Sequence, residues 1–186
     1  MAGDSFSLAV DASRNRSGGA VNHLRGILAA GDPRSYGIRQ VHVWSYRALL
    51  DRLPSPEWLV KHNPRALEAG LRQQVLWQVR RLPTELQAAG CDLLLNTDAG
   101  TLGSFIPAIT MSRDMLSYEP GEMSRFGLSL ARWRLLLLRS AQNRSLGRSY
   151  AAIFLTEHAA RVIQGHTGRI SRYRIIPHGV GEGFAE

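Results

Sequence analysis

Short apolar runs alternate with stretches of helical period along nearly the whole chain, and that alternation leaves few folds open. Residues 6–10 (FSLAV) read as a buried strand. A polar loop carrying Gly18 and Gly19 follows. Residues 20–30 then predict a helix with Val21, Leu24, Ile27 and Leu28 on one face, stopped by Gly31 and Pro33. Residues 40–44 (QVHVW) alternate and predict a second strand, and 46–54 hold a short helical piece closed by Pro54. Residues 65–82 predict a helix with a stripe of Leu67, Leu71, Val75, Val79 and Leu82, ended by Pro83. A short helix over 84–89 closes at Gly90. Residues 91–96 and 106–111 predict a third and a fourth strand, with Pro107 at the start of the latter, where a missing N–H does least harm. Residues 124–143 predict a long helix whose stripe is Phe126, Leu130, Trp133, Leu137 and Ala141. A fifth strand over 151–156, a helix over 157–164 and a sixth strand over 173–177 complete the pattern.

Strands separated by helices point to an α/β, doubly wound, Rossmann-like parallel sheet with helices on both faces. Ligands of such sheets lie beyond the carboxyl ends of the strands. The informative residues are therefore 11–19, 45–46, 96–100, 112–118, 156–158 and 178–179.

Charge narrows the partners. The net charge is +8, and Lys61 is the only lysine, so every other fixed cation is an arginine. Arginine binds phosphate and carboxylate through a planar fork. No acid falls between Met123 and Thr156, where Arg125, Arg132, Arg134, Arg139, Arg144 and Arg148 lie. Another acid-free stretch, from His158 to Gly181, holds Arg161, Arg169, Arg172 and Arg174. Phosphorylated ligands, anionic lipid and nucleic acid all suit such a surface, and so does plain solvation. Nucleic acid is not expected, because neither interleaved aromatics nor a reading helix accompanies the charge.

Other chemistries lack their motifs. There is no G-x-G-x-x-G, no Walker A loop, no G-x-S-x-G and no H-E-x-x-H. The six histidines show no metal-ligand spacing, so no metal site is expected. Cys91 is the only cysteine, which excludes an intrachain disulfide and suits a reducing cytoplasm. Residues 135–138 form the densest apolar run, too short to span a bilayer, and MAGDSFSLAVD does not read as a signal peptide. Gly18 and Gly19 remain. At a helix start, exposed amides and the positive helix end favour an anion, and a missing side chain admits close approach. A plain turn before a helix would also use them.

Five stretches, in order, resemble the N-terminal domain of a GT-B glycosyltransferase of the large retaining family 4. They are RNRSGGAVNHLRGIL, LPTELQAAGCDLLLNTDAG, IPAITMSRDMLSYEP, AAIFLTEHAARVI and, most specific, YRIIPHGVGEGF. The last is similar to the family's V-I-P-N-G-V-D signature, with His178 where asparagine is usual. The resemblance implies an acceptor-binding domain over 1–180, with 181–186 opening the linker to a donor-binding domain. The family's spaced pair of glutamates does not occur, so the chain is expected to be the acceptor-side piece of a longer enzyme, inactive by itself. That enzyme would transfer a sugar from a nucleotide diphosphate sugar to a glycan, a lipid-linked sugar or a small polar acceptor, as in cell-surface polysaccharide biosynthesis. No tightly bound cofactor or metal is implied.

Carried onto this sequence, Gly18 and Gly19 would lie under the donor diphosphate and the acceptor. Arg113 and Asp114 stand where many members have a histidine, and Asp98 follows the third strand. Asp98 and Asp114 are the candidate catalytic carboxylates; Asn96, Arg113, Thr156, His178 and Gly179 are candidate binding residues. The expected location is cytoplasmic, with peripheral contact at the inner face of the membrane through the Trp/Leu stripe and arginines of 123–156. The competing expectation is a non-catalytic Rossmann-like module that holds a phosphorylated ligand or nucleic acid.

Overall fold

A computed structural model of the chain describes residues 5–16, 18–119, 125, 127 and 129–177. It is an α/β fold around an all-parallel, seven-stranded sheet. The strands are β1 (Phe6–Asp11), β2 (Ile38–Trp44), β3 (Leu59–His62), β4 (Leu93–Asn96), β5 (Ala108–Ser112), β6 (Ala151–Phe154) and β7 (Tyr173–Ile175). The helices are α1 (Gly18–Ala29), α2 (Arg47–Leu50), α3 (Leu71–Arg80), α4 (Leu82–Ala88), α5 (Leu130–Arg148) and α6 (Glu157–Thr167). The order across the sheet is β3-β2-β1-β4-β5-β6-β7. The chain reverses its direction of growth between β1 and β4. In open α/β sheets the carboxyl ends at such a reversal are where a binding crevice forms.

Alternation along β1 separates the two faces. Val10 packs with Val41 and Val43 under Val21, Leu24 and Leu28 of α1 and Leu49 and Leu50 of α2. Ala9 packs the other way, with Trp44, Leu94 and Ala108 against Trp77 of α3 and Leu82 and Leu86 of α4. Phe154 and Ala152 of β6 join Ala160 and Ile163 of α6 and Leu146 of α5 in a third cluster.

Three sequence expectations are corrected. β3 was not foreseen. It is four residues long with only Leu59 buried, too short and too polar to announce itself. The helix expected over 65–82 is three pieces: a 3-10 turn at Arg65–Leu67, α3, then α4. Gly70 caps α3, and Pro83 lies in the first turn of α4, starting a helix rather than ending one. Leu71 and Val79, expected inside, are exposed, and α3 buries Trp77 and Gln78 instead. The third correction is α5. Its expected inner stripe faces solvent: Leu130, Trp133 and Leu137 are 88%, 61% and 71% exposed. Leu135, Gln142 and Leu146 face the sheet. The leucine run 135–138 supplies apolar side chains all round the helix, so periodicity alone could not choose a side. Phe126 lies outside the described residues.

β3 brings together two histidines that the sequence keeps apart. His42 Nδ1 and His62 Nε2 are 3.0 Å apart, and His62 stacks on Trp44 with ring centroids 4.1 Å apart. Burial and the His42 ring push His62 down from 6.5 to about 4, and burial with the Arg39 charge lowers His42. Both are therefore neutral in the fold at neutral pH. An unfolded chain binds protons on these rings below its ordinary value of 6.5. Stability is then full above that pH and falls toward pH 4 as the unfolded state gains protons that the fold refuses. The expected loss is roughly 2 kcal/mol for His62 after discounting its partial exposure. Urea midpoints measured between pH 7 and about 4 should show it, and His62→Phe should flatten the slope.

Candidate functional site

The site is built at the crevice between β1 and β4. β1 ends in Asp11, paired with Trp44 of β2 on one side and Asn96 of β4 on the other. Asp11 is buried and accepts from Ser13 N at 3.0 Å and Gln78 Nε2 at 2.6 Å. Burial pushes its carboxyl above the ordinary range, against the pull of those hydrogen bonds. Gln78 also accepts from Leu102 N at 3.1 Å, so α3 ties the loop after β1 to the loop after β4.

The loop after β1 is fixed at Asn15, which is 1% exposed. Its carbonyl accepts from Tyr46 Oη at 2.9 Å. Its side-chain oxygen accepts from Thr97 Oγ1 at 3.0 Å and from Arg113 Nη2 at 2.8 Å. Next to it, Arg16 donates to Leu67 O at 2.8 Å and stacks on the Tyr46 ring. These bonds hold the loop as far as Arg16, and α1 opens with Gly18 and Gly19, both exposed. A Cβ at either glycine would meet nothing within 4 Å, and neither has a positive φ. The fold therefore does not need glycine at 18 or 19. At Gly100 the space is tighter: a Cβ there would come within 2.8 Å of Asp98 Oδ1 and 3.1 Å of Leu138, so those side chains would have to shift.

Asp98 and Arg113 lie side by side. Asp98 Oδ1 accepts from Gly100 N at 2.6 Å and lies 3.9 Å from Arg14 Nε, while its Oδ2 lies 3.8 Å from Arg113 Nη2. Burial lowers the pKa of Arg113, and the Asp98 charge opposes that.

The other candidates are not drawn into this cluster. Asn96 is buried and donates to Thr110 Oγ1 at 3.1 Å, which in turn accepts from Ser149 at 2.6 Å. It joins β4 to β5 inside the sheet rather than lining the crevice. Asp114 is exposed and accepts from Leu116 N at 2.8 Å, so it closes the turn after β5. Thr156 caps α6 by accepting from Ala159 N at 3.1 Å. His178 and Gly179 lie outside the described residues, as does all of 181–186. The sequence reading passed over Arg14, Asn15, Thr97 and Gln78. Three of them stood in loops already marked as important, but Gln78 carried no local signal.

No protein-family model matches the chain, and no curated protein matches it. Among the described residues, no group of three or more His, Cys, Asp or Glu side chains could hold a metal, and no helix is long and apolar enough to cross a membrane. Two cavities lie away from the crevice: about 460 Å³ between α6 and β7, with Arg161, Arg169 and Tyr173, and an apolar one of about 200 Å³ beneath α1. The crevice itself can accept hydroxyl hydrogen bonds at Asp98, contact an anion through Arg113 and Arg14, and present the side-chain-free backbone of Gly18 and Gly19.

Proposed function

We propose that the chain is the acceptor-side half of a retaining, GT-B-type glycosyltransferase that takes its sugar from a nucleotide diphosphate sugar. One observation carries the reading. Two glycines that the fold does not require open α1 beside the sheet's reversal point, where a phosphate or sugar would approach bare backbone. In this reading Asp98 orients an acceptor hydroxyl, Arg113 and Arg14 hold the acceptor, and the backbone of Gly18 and Gly19 helps to carry the charge of the leaving diphosphate without a metal. A donor-binding domain supplies the rest. The experiment is nucleoside diphosphate release from a panel of nucleotide sugars, using the longest product of the reading frame. Release with one donor supports the reading. Folded protein that binds the panel but releases nothing supports a non-catalytic module.

The outward stripe of α5 extends this reading to an anionic membrane leaflet, at the cytoplasmic face. Leu130, Trp133 and Leu137 share the exposed side of a helix free of acids and carrying Arg134 and Arg144. Apolar residues with arginines fit a leaflet of anionic lipid. In liposome pelleting, Trp133→Ala with Leu137→Ala should reduce binding to anionic vesicles by about 10-fold. Equal pelleting with neutral and anionic lipid would rule this surface out.

A further inference from the structure

Arg113 is a largely enclosed cation whose partners do not complete it. Its side chain is 14% exposed. Nη2 donates to the neutral Asn15 oxygen, and Nε is buried with no partner among the described residues. Its nearest carboxylate, Asp98, stands 3.8 Å away, beyond hydrogen-bond reach. Asp98 is also divided: one oxygen is taken by Gly100 N, and Arg14 reaches it only at 3.9 Å. The Asn15 amide nitrogen, buried beside them, has no acceptor among the described residues either. Behind them Asp11 is occupied by Ser13 and Gln78. Two guanidiniums thus face one loosely held carboxylate. A desolvated arginine ordinarily takes a bidentate anion, and an unmatched buried donor is costly.

We propose that Arg113 and Arg14 form a subsite for an anionic group, phosphate or carboxylate, on the acceptor. The proposal rests on the glycosyltransferase reading for the word acceptor, but the subsite stands on the geometry of the cluster. The incoming anion takes the arginine N–H groups that Asp98 fails to reach. Asp98 is left to accept from a hydroxyl of the same molecule. Acceptors bearing such a group are selected over neutral sugars.

The test needs no donor and no turnover. Glucose, glucose 1-phosphate and glucuronate are titrated separately into the 186-residue chain at low ionic strength, followed by calorimetry or amide shifts. At least one of the two anionic sugars should bind about 10-fold or more tightly than glucose. Arg113→Gln should remove that advantage, whereas Arg52→Gln, which removes an equal charge at an exposed position after α2, should leave it. Asp98→Asn should strengthen anion binding, because a competing charge is gone. Neither anionic sugar outbinding glucose would overturn the proposal, as would an advantage that survives Arg113→Gln or falls equally with Arg52→Gln. If Arg113→Gln does not fold, Asp98→Asn decides: unchanged or weaker anion binding overturns the subsite. Absence of nucleotide release with anion binding intact would instead tell against the transferase reading alone.

Discussion

Gly19→Leu should lower transfer by about 100-fold or more while leaving the chain at least as stable as before. The two halves of this expectation come from one observation. A side chain at Gly19 meets no atom of the protein within 4 Å, so it fits. Glycine inside a helix is a poor choice, and replacing it contributes roughly 0.5 to 1 kcal/mol to stability. Yet the same side chain projects into the space where a ligand would lie against the helix start. Gly18→Ala and Gly19→Ala should show a milder version of the same opposition. The measurement pairs urea unfolding with nucleoside diphosphate release from the longest product of the reading frame. A variant that is stable and fully active would remove the functional meaning of the glycines. A variant that unfolds would mean that they serve the fold after all.

Glu85→Ala is expected to cost about 3 kcal/mol, among the largest stability effects of a single change in this chain. Trp44 and Trp77, 1% and 4% exposed, both point their indole N–H at Glu85, at 3.0 and 2.9 Å. Alanine leaves two buried donors unmatched, each worth about 1 to 3 kcal/mol, part of which water recovers through the half-buried position of Glu85. Glu85→Gln keeps one acceptor oxygen and should lose about half as much. The effect reaches the crevice. Trp44 ends β2, and its carbonyl accepts from Ala12 N in the loop after β1. Trp77 adjoins Gln78, which holds Asp11. Urea midpoints of the two variants check the magnitudes. Near-equal losses for alanine and glutamine would mean that the bulk of the side chain matters, not its two oxygens.

How much of this was legible beforehand follows from physical range. Buried parallel strands are short runs of apolar residues, so β1, β4 and β5 could be read directly. β3 escaped because its apolar pair, Leu59 and Val60, runs straight into Lys61 and His62 and forms no run that stands out. The break at Gly70 and the restart at Pro83 depend on caps whose meaning changes with a shift of a few residues. α5 showed the limit of periodicity, since a helix apolar on several sides is oriented by its neighbours. The crevice divides in the same way. Gly18, Gly19, Asp98 and Arg113 were visible as loop residues following strands. Their joining was not, because the Asn15–Arg113 bond spans 98 residues and the Asp11–Gln78 bond spans 67. Asn96 closes β4 and Asp114 follows β5, but hydrogen bonds to Thr110 and Leu116 claim their side chains.

The most direct test of the crevice as the binding site is an amide chemical-shift map. The labelled chain is titrated with monosaccharides, sugar phosphates and nucleoside diphosphates in the millimolar range. The account predicts that the responding amides include Gly18, Gly19, Gly100 and the residues around Asn15 and Arg113. Responses confined to the groove between α6 and β7, or no response to any of the compounds, would contradict it.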